Sequence, residues 1–369
     1  MRIVYFTHSL ASCWNHGNAH FLRGVLRELI ARGHDVLALE PEGAWSLANL
    51  LADHGEAGLE PWRAAYPELR CETYDPASDV SALVDGADVV IMHEWNDPAL
   101  VAALGRLRAA GGPFTLLFHD THHRAVSDPE AIRAFDLTGY DAVLAFGETL
   151  AEVYRRWGWG DRVFVWHEAA DLRLFHPPAE AGPRRWLIWI GNWGDDERSA
   201  ELESFLFRPA QEAGLPLDIY GVRYPQAALD TLAHYGVRYH GWVANARAPE
   251  LFARALATVH VPRRYYSTIL PGIPTIRVFE ALACGIPLVS APWRDAEGLF
   301  RPGIDYLVAA NGAEMTRHLR ALRNDPALRA SLVAHGLETI RARHSCAHRA
   351  EELLAILARL RTPSLRSVA

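Results

Sequence analysis

The chain alternates short apolar segments with amphipathic helical segments, and this alternation constrains its fold more than any other feature. In the first half, strands are predicted at residues 2–7, 35–39, 88–93, 114–119, 141–146 and 163–167. Helices are predicted between them, for example at 19–32, 98–110 and 148–157. Strands that alternate with helices pair in parallel, because each helix returns the chain to the same edge of the sheet. The first half is therefore predicted to be an α/β layer structure.

A polar, loop-like segment rich in proline and glycine interrupts this alternation between residues 168 and 185. A second series of strands is predicted at residues 186–190, 217–220, 237–240, 258–261, 288–290 and 306–309. Two series of similar length predict two Rossmann-like, doubly wound α/β domains that face a cleft. The predicted divisions are a first domain at 1–170, a linker at 171–185, a second domain at 186–345, and a helix and tail at 346–369 that can cross back to the first domain.

Composition excludes several classes of protein. The formal net charge of −7 argues against a general nucleic-acid binder, which would carry a basic face. The four cysteines stand far apart and form no Cys-x-x-Cys pair, so zinc knuckles, redox dithiols and a disulfide scaffold are not expected. No apolar run approaches the roughly 20 residues of a membrane-spanning helix. The N-terminal MRIVYF lacks the pattern of a signal peptide, so a cytoplasmic enzyme is expected.

The chain contains no lysine. P-loop proteins require a lysine on the phosphates, and pyridoxal-phosphate enzymes require one for the Schiff base, so both classes are excluded. A GC-rich genome would account for the missing lysine without any functional reason. In either case, a phosphate bound here must be held by arginine, by backbone N–H groups or by a helix N-terminus.

Residues 270–291, LPGIPTIRVFEALACGIPLVSA, indicate a loop, a short helix and a buried strand. Thr275 is placed to cap the helix, and the free N–H groups near Thr275 and Ile276 form an anion site. Arg277 lies in the first turn, where the helix dipole disfavours a cation unless a phosphate is bound. Glu280, one turn on, can accept two hydrogen bonds from a vicinal diol such as ribose. The alternative is an Arg277–Glu280 salt bridge on a solvated helix face, and the sequence leaves both open.

The FEALACGIP stretch at 279–287 resembles the donor-binding segment of group 1 glycosyltransferases, around the second glutamate of their E-x7-E motif. The chain is similar in particular to the CgeB-like (spore-maturation-type) glycosyltransferases. Supporting segments are WHEAAD at 166–171, FHP at 175–177, IWIGN at 188–192 and GWV at 241–243. The match spans nearly the whole chain and is thin between 44 and 84. It implies the GT-B fold, in which a nucleotide-sugar binds between two Rossmann-like domains.

The resemblance also implies a set of donor-binding residues, in which Glu280 holds the ribose. Thr275, Ile276 and Arg277 would contact the diphosphate, and Gly191 and Asn192 would lie close to the donor phosphates. Gly17 would face the donor across the cleft. His16, beside Gly17, is a further candidate on the donor side.

This chain departs from the family pattern at two places. The first glutamate of E-x7-E would lie eight residues before Glu280, where this chain has Gly272. Because that glutamate often contacts the sugar in the wider group, the transferred sugar and the stereochemical course stay open. The usual basic pair on the diphosphate is also missing, and Arg263 with Arg264 are expected to replace it, since arginine binds phosphate bidentately.

Candidate residues of the first domain follow two predicted strands. His119 and Asp120 end one of them and are expected to orient the acceptor or stabilise charge as catalytic groups. Ordinary loop polarity and a metal site are the alternatives for this histidine-rich segment, and no metal is expected. His93 and Glu94 end another strand and are candidates for acceptor binding, with helix capping in that segment as the alternative. His20 is expected to be structural.

These features together predict a metal-independent glycosyltransferase that needs no cofactor besides its nucleoside-diphosphate-sugar donor. The acceptor would be a saccharide, a lipid-linked saccharide, a protein or a small molecule, with no role for nucleic acid. Two alternatives stay open: a nucleotide-sugar epimerase of the same fold, and a non-catalytic nucleotide-sugar-binding protein, which Gly272 favours.

Overall fold

A computed structural model describes residues 1–15, 17, 19–179 and 184–361. The first half forms a seven-stranded sheet of β1 (Arg2–Phe6), β2 (Asp35–Pro41), β3 (Cys71–Tyr74), β4 (Val89–His93), β5 (Thr115–Asp120), β6 (Ala142–Ala145) and β7 (Val163–Val165). The second half forms a six-stranded sheet of β8 (Leu187–Ile190), β9 (Leu217–Tyr220), β10 (Arg238–Tyr239), β11 (Ala257–His260), β12 (Leu288–Ser290) and β13 (Leu307–Val308).

Both sheets have the Rossmann-like strand order. The first runs β3-β2-β1-β4-β5-β6-β7 and the second β10-β9-β8-β11-β12-β13, with every pairing parallel. The strand order therefore reverses between β1 and β4 in one sheet and between β8 and β11 in the other. Ligands of doubly wound sheets bind outside the carboxyl ends of the strands at this reversal. The prediction of two doubly wound α/β domains is confirmed.

Helices cover the faces of both sheets. In the first half they are α1 (Ala19–Ala31), α2 (Trp45–His54), α3 (Glu60–Ala65), α4 (Val80–Leu83), α5 (Pro98–Ala109), α6 (Arg124–Ser127), α7 (Pro129–Arg133) and α8 (Glu148–Tyr154). In the second half they are α9 (Ser199–Leu202), α10 (Arg208–Glu212), α11 (Gln226–His234), α12 (Ala248–Arg254), α13 (Arg264–Thr268), α14 (Ile276–Ala283), α15 (Gly312–Asn324), α16 (Pro326–Arg343) and α17 (Cys346–Arg361). Short 3₁₀ turns lie at Glu56–Leu59, Gly160–Arg162, Asp195–Glu197 and Asn245–Arg247, and π turns at Arg155–Trp159 and Glu203–Phe207.

The last helix, α17, packs against the first half of the chain rather than the second. The Cys346 N–H donates to the carbonyl of Ala170 at 2.9 Å, and the indole of Trp166 donates to the carbonyl of Arg349 at 2.9 Å. Gly24 of α1 allows this close approach, since a Cβ there would lie 2.5 Å from the Cys346 Sγ. Residues 362–369 of the predicted tail and 180–183 of the predicted linker lie outside the described residues.

The two halves also touch directly beside the cleft. The carboxylate of Glu297, from the second half, accepts from the backbone N–H of Glu148 at the start of α8 (3.0 Å) and contacts His167 at 2.8 Å. A carboxylate at a helix start complements the helix dipole. These contacts fix the relative position of the two sheets around the site.

Candidate functional site

A cavity of about 770 Å³ lies between the two sheets at both points where strand order reverses. Four of its lining residues lie two or three residues past the ends of the strands on either side of these points: His8 after β1, Trp95 after β4, Asn192 after β8 and Arg263 after β11. Because parallel strands end at the same edge of a sheet, residues just past their carboxyl ends converge. A larger surface groove of about 1050 Å³ is lined only by first-half residues away from the reversal points, so it is not the candidate site.

Helix α14 begins on the wall of this cavity. Thr275 takes the N-cap position, with φ −78° and ψ 157°, but its side chain makes no capping hydrogen bond, contrary to expectation. Thr275 and Ile276 both line the cavity. The first N–H groups of a helix lack partners within the helix, and its dipole favours negative charge there. The start of α14 is therefore suited to hold an anion in the cavity.

Glu280 lies one turn into α14 and is fully buried. Its Oε1 accepts from His20 Nδ1 and from Asn245 Nδ2, each at 2.7 Å, and its Oε2 accepts from Arg277. Burial raises the pKa of Glu280, but the charge of Arg277 and the hydrogen bonds of His20 and Asn245 outweigh it, so the pKa is lowered. The carboxylate is thus ionised and held across the domain boundary, since His20 belongs to α1.

The tautomer of His20 follows from its contacts. Its Nε2 accepts from the backbone N–H of Asp171 at 2.8 Å, so Nδ1 carries the proton that it donates to Glu280. The ring also stacks on Phe175, with centroids 3.9 Å apart. His20 therefore orients Glu280.

The Arg277–Glu280 salt bridge considered from the sequence is present, but its setting differs from the one expected. The Glu280 side chain is 0% exposed and that of Arg277 26%, so the pair does not lie on a solvated face. Arg277 and Thr275 line a recess of about 20 Å³. Glu280 itself lines neither this recess nor the cavity, because Arg277 occupies its Oε2.

Three other predicted donor-binding residues line the cavity. Asn192 hydrogen-bonds across the domain boundary to the side-chain oxygen of Asn15 at 2.6 Å. Arg263 forms an ion pair with Glu197. Gly17 lies so close to α14 that a Cβ there would be 2.7 Å from the Ile276 Cγ2. These residues therefore meet around the start of α14.

Besides Arg277 and Glu280, two more predicted donor-binding residues do not line the cavity, and one cannot be placed. Arg264 extends over the outer surface and pairs with Glu201 at 2.7 Å. Gly191 lies behind Asn192, and its carbonyl accepts from the hydroxyl of Tyr224 at 3.0 Å. His16 lies outside the described residues.

The predicted catalytic residues His119 and Asp120 are fully buried within the sheet and do not line the cavity. His119 Nδ1 contacts the hydroxyl of Tyr5 at 2.5 Å, and burial lowers its pKa to about 3. Asp120 accepts from the Tyr154 hydroxyl at 2.7 Å, and burial raises its pKa to about 6. Strand β5 runs to Asp120, so the chain reaches the cavity only past the strand's end, at Thr121 and His122.

The predicted acceptor-binding residues His93 and Glu94 are displaced from the cavity in the same way. His93 ends β4 inside the sheet, and Glu94 pairs with Arg124 at 2.7 Å. Burial, followed by the charge of Asp120, raises the pKa of Glu94 to about 8. Both side chains are 0% exposed, and the next residue, Trp95, lines the cavity instead.

Several cavity residues were not among the sequence candidates. They are His8, Trp45, Trp95, Thr121, His122, Phe146, Glu168, Arg223 and Tyr266. Most of them lie one to three residues past the end of a strand, so a search of those positions in the sequence would have identified them. Glu168 stands out because it is only 6% exposed and its carboxyl makes no hydrogen bond to any residue that the structure describes.

Two further findings concern metals and membranes. Within residues 1–15, 17, 19–179 and 184–361, no group of three or more His, Cys, Asp or Glu side chains is placed to hold a metal ion. None of the helices in the same ranges has the length and apolar character needed to cross a bilayer.

Comparisons with known proteins assign a glycosyltransferase domain to each half. Residues 17–174 match the family model described as Glycosyltransferase Family 4, and residues 198–355 match one described as Glycosyl transferase-like. No curated protein matches the sequence. The CgeB-like resemblance stays a prediction.

Solved structures share the fold along nearly the whole chain. HepE of Anabaena, solved with UDP and glucose, is 13% identical with a TM-score of 0.69, over 96% of this chain and 99% of that one. Sucrose-phosphate synthase of Thermosynechococcus elongatus is 16% identical with a TM-score of 0.68, over 97% and 98%. A mutant T4 phage BGT solved with UDP-glucose is 13% identical with a TM-score of 0.62, over 97% and 99%. Likeness at this identity shows the fold alone, and the two domain matches supply the class: the chain is a glycosyltransferase with the GT-B fold.

Proposed function

We propose that this glycosyltransferase takes its sugar from a nucleoside-diphosphate sugar bound with its diphosphate at the start of α14. The observation that carries the proposal is the position of this helix start, which opens into an interdomain cavity of about 770 Å³ with Arg277 and Glu280 directly behind it. A helix start and nearby arginines are the phosphate ligands available to a chain without lysine.

Two arginines of the site are already paired with carboxylates. Arg263 is bound to Glu197 and Arg277 to Glu280. A diphosphate carries more charge than one carboxylate and can bind guanidinium groups bidentately, so it competes for both arginines. When Arg277 turns to the diphosphate, Oε2 of Glu280 becomes available to a ribose hydroxyl. His20 and Asn245 keep Oε1 in place during this exchange.

Uridine is the first base to test. HepE of Anabaena was solved with UDP and with UDP-glucose, and the T4 phage BGT with UDP-glucose. Both share the arrangement of two sheets around a cleft. The proposed donor is therefore a UDP-sugar.

The opposite wall of the cavity fits a hydroxyl-bearing acceptor such as a saccharide. Trp45 and Trp95 are 51% and 37% exposed, and His8 and His122 lie on the same wall. Aromatic faces pack well against sugar rings, while histidine nitrogens exchange hydrogen bonds with hydroxyls. Catalysis would come from holding acceptor and donor together and from stabilising the departing diphosphate with arginine, without a metal ion.

Thermal unfolding with UDP, GDP and dTDP tests the donor assignment. We expect UDP to raise the melting temperature, and Arg277→Gln to weaken UDP binding by about tenfold, the effect of losing about 1.4 kcal/mol of charged hydrogen bonding. Arg264→Gln is the matched control, because Arg264 pairs with Glu201 away from the cavity. Loss of UDP binding in both variants, or a wild-type protein that binds none of the three nucleotides, would contradict the proposal.

Turnover assays then test transfer. With a saccharide acceptor panel present, we expect UDP release from a UDP-sugar to rise well above the rate without acceptor, and EDTA to leave that rate unchanged. UDP release that never depends on any acceptor, accompanied by an epimerised sugar, would instead indicate an epimerase.

A further inference from the structure

Among the described charged side chains that line the cavity, Glu168 is the one that is buried and makes no hydrogen bond to a described residue. It lies on the segment that leaves β7 for the second half of the chain. Its side chain lines the cavity, the residue is 6% exposed, and no described residue hydrogen-bonds to its carboxyl. Because this carboxyl faces the cavity and has no partner among the described residues, a ligand in the cavity can complete its hydrogen bonding.

The backbone around Glu168 is held firmly on both sides. The carbonyl of His167 accepts from the guanidinium of Arg349 at 3.0 Å. The N–H of Ala170 donates to the carbonyl of His344 at 3.0 Å, and its carbonyl accepts from Cys346. Since α16 and α17 fix this segment on both sides of Glu168, the carboxyl is presented to the cavity from a rigid support.

The charged and titratable groups facing Glu168 belong mostly to the donor side. Arg277 and Glu280 of α14 act on its charge, and its charge in turn acts on Tyr266 of α13 and on Cys346 of α17. Burial and then the negative charge of Glu280 raise the pKa of Glu168 to about 8, against the opposing effect of Arg277. At neutral pH the carboxyl therefore offers one O–H donor and one carbonyl acceptor.

These properties distinguish between the possible ligands. A second negative charge beside a donor diphosphate would repel it, whereas a neutral carboxyl would not. A donor and an acceptor on one planar group match a sugar hydroxyl, which itself donates and accepts. Glu168 lines the same cavity as the start of α14 and is near enough to Arg277 and Glu280 to respond to their charges, so it is within reach of a sugar attached to a diphosphate at that helix start.

We propose that Glu168 binds a hydroxyl of the donor's sugar and thereby selects which sugar is transferred. This inference rests on the proposed function, because it requires a nucleoside-diphosphate sugar in the cavity. It makes Glu168 a specificity residue that contacts the substrate and takes no proton during transfer.

Titration calorimetry on the wild type, Glu168→Gln and Glu168→Ala tests this assignment, with UDP, UDP-glucose, UDP-galactose and UDP-N-acetylglucosamine as probes. UDP should bind all three proteins within about threefold, because it lacks the sugar. For at least one UDP-sugar, Glu168→Ala should weaken binding relative to UDP by about tenfold, as expected for a lost buried hydrogen bond. Glu168→Gln should retain most of that affinity, since an amide also donates and accepts.

The pH dependence gives a second measurement that a merely structural role would not produce. Wild-type affinity for the preferred UDP-sugar should fall as pH rises through about 8, while UDP affinity changes less and Glu168→Gln stays flat. Failure of wild-type protein to bind UDP would count against the proposed function itself. The role of Glu168 would be overturned if UDP binds but Glu168→Ala leaves the preference among the UDP-sugars unchanged. It would also be overturned if the wild type binds UDP but none of the three UDP-sugars. Turnover abolished in Glu168→Gln with donor binding intact would overturn it in favour of a proton-accepting role.

Discussion

Gly17 offers the sharpest perturbation of the contact between the two halves. A Cβ at this position would lie 2.7 Å from the Cγ2 of Ile276, at the first residue of α14. Carbon atoms in contact normally lie about 3.5–4.0 Å apart, so Gly17→Ala requires an opening of about 0.8–1.3 Å. Ile276 cannot yield easily, because a β-branched side chain in a helix has one strongly preferred rotamer and Glu280 anchors α14 to His20 and Asn245.

The strain falls on the closed arrangement of the domains rather than on either domain alone. Overpacking a close contact typically costs about 1–3 kcal/mol. Separation of the halves relieves it, so the penalty appears when a ligand requires both walls of the cavity. If the whole cost opposes binding, UDP affinity falls by about 5-fold to about 150-fold.

Calorimetry with UDP on four proteins measures this effect: wild type, Gly17→Ala, Ile276→Ala and the double variant. Ile276→Ala removes the Cγ2 and leaves room for the new methyl group, so the double variant should bind more tightly than the sum of the single effects predicts. Melting temperatures of all four report whether the fold is intact. Simple additivity of the two effects would refute the steric reasoning.

Three further changes test the packing and charge of the fold. Glu280→Ala leaves its three hydrogen-bond donors unpaired, two of which, His20 and Asn245, are buried, and should lower the free energy of unfolding by about 3–5 kcal/mol in a urea titration; a loss below about 1 kcal/mol would show that the network is not stabilising. Glu168 and Glu94 have folded pKa values of about 8 against an ordinary 4.5, so they stay protonated in the folded chain while the unfolded chain loses those protons. The free energy of unfolding should therefore fall between pH 6.5 and 8, less steeply in Glu168→Gln, and a rise would contradict the burial argument. Gly24→Ala should lower the melting temperature, since its Cβ would lie 2.5 Å from the Cys346 Sγ, and Cys346→Ala should restore part of the loss if that contact is the cause.

Periodicity was sufficient to predict most of the fold. Strands predicted at 2–7, 217–220 and 288–290 correspond to β1, β9 and β12. The strand that was missed, β3, is an edge strand, and three of its four residues are partly or fully exposed. Its sequence therefore lacks the apolar run that marks a buried parallel strand.

The site was harder to predict because its geometry depends on where each strand stops. His119 and Asp120 were chosen as the polar residues nearest a predicted strand end, but β5 continues through Asp120 and buries both. His122, two residues on, reaches the cavity. Element boundaries from sequence are uncertain by a few residues, and here that uncertainty decides which side chain faces the ligand.

The charge arrangement also explains why the motif at α14 could be interpreted in two ways from sequence. The Arg277–Glu280 pair is present, as the structural alternative required, and it lies directly behind Thr275 and Ile276, which line the cavity, as the nucleotide hypothesis required. The two interpretations are compatible if the ion pair exists only without a ligand and a bound diphosphate replaces Glu280 as the partner of Arg277. In the proposed exchange, Arg277 would leave Glu280 for the diphosphate, and Oε2 of Glu280 would then be free to accept from ribose while His20 keeps hold of Oε1. An ion pair buried at a cleft therefore does not argue against binding, because the ligand can replace one of its members.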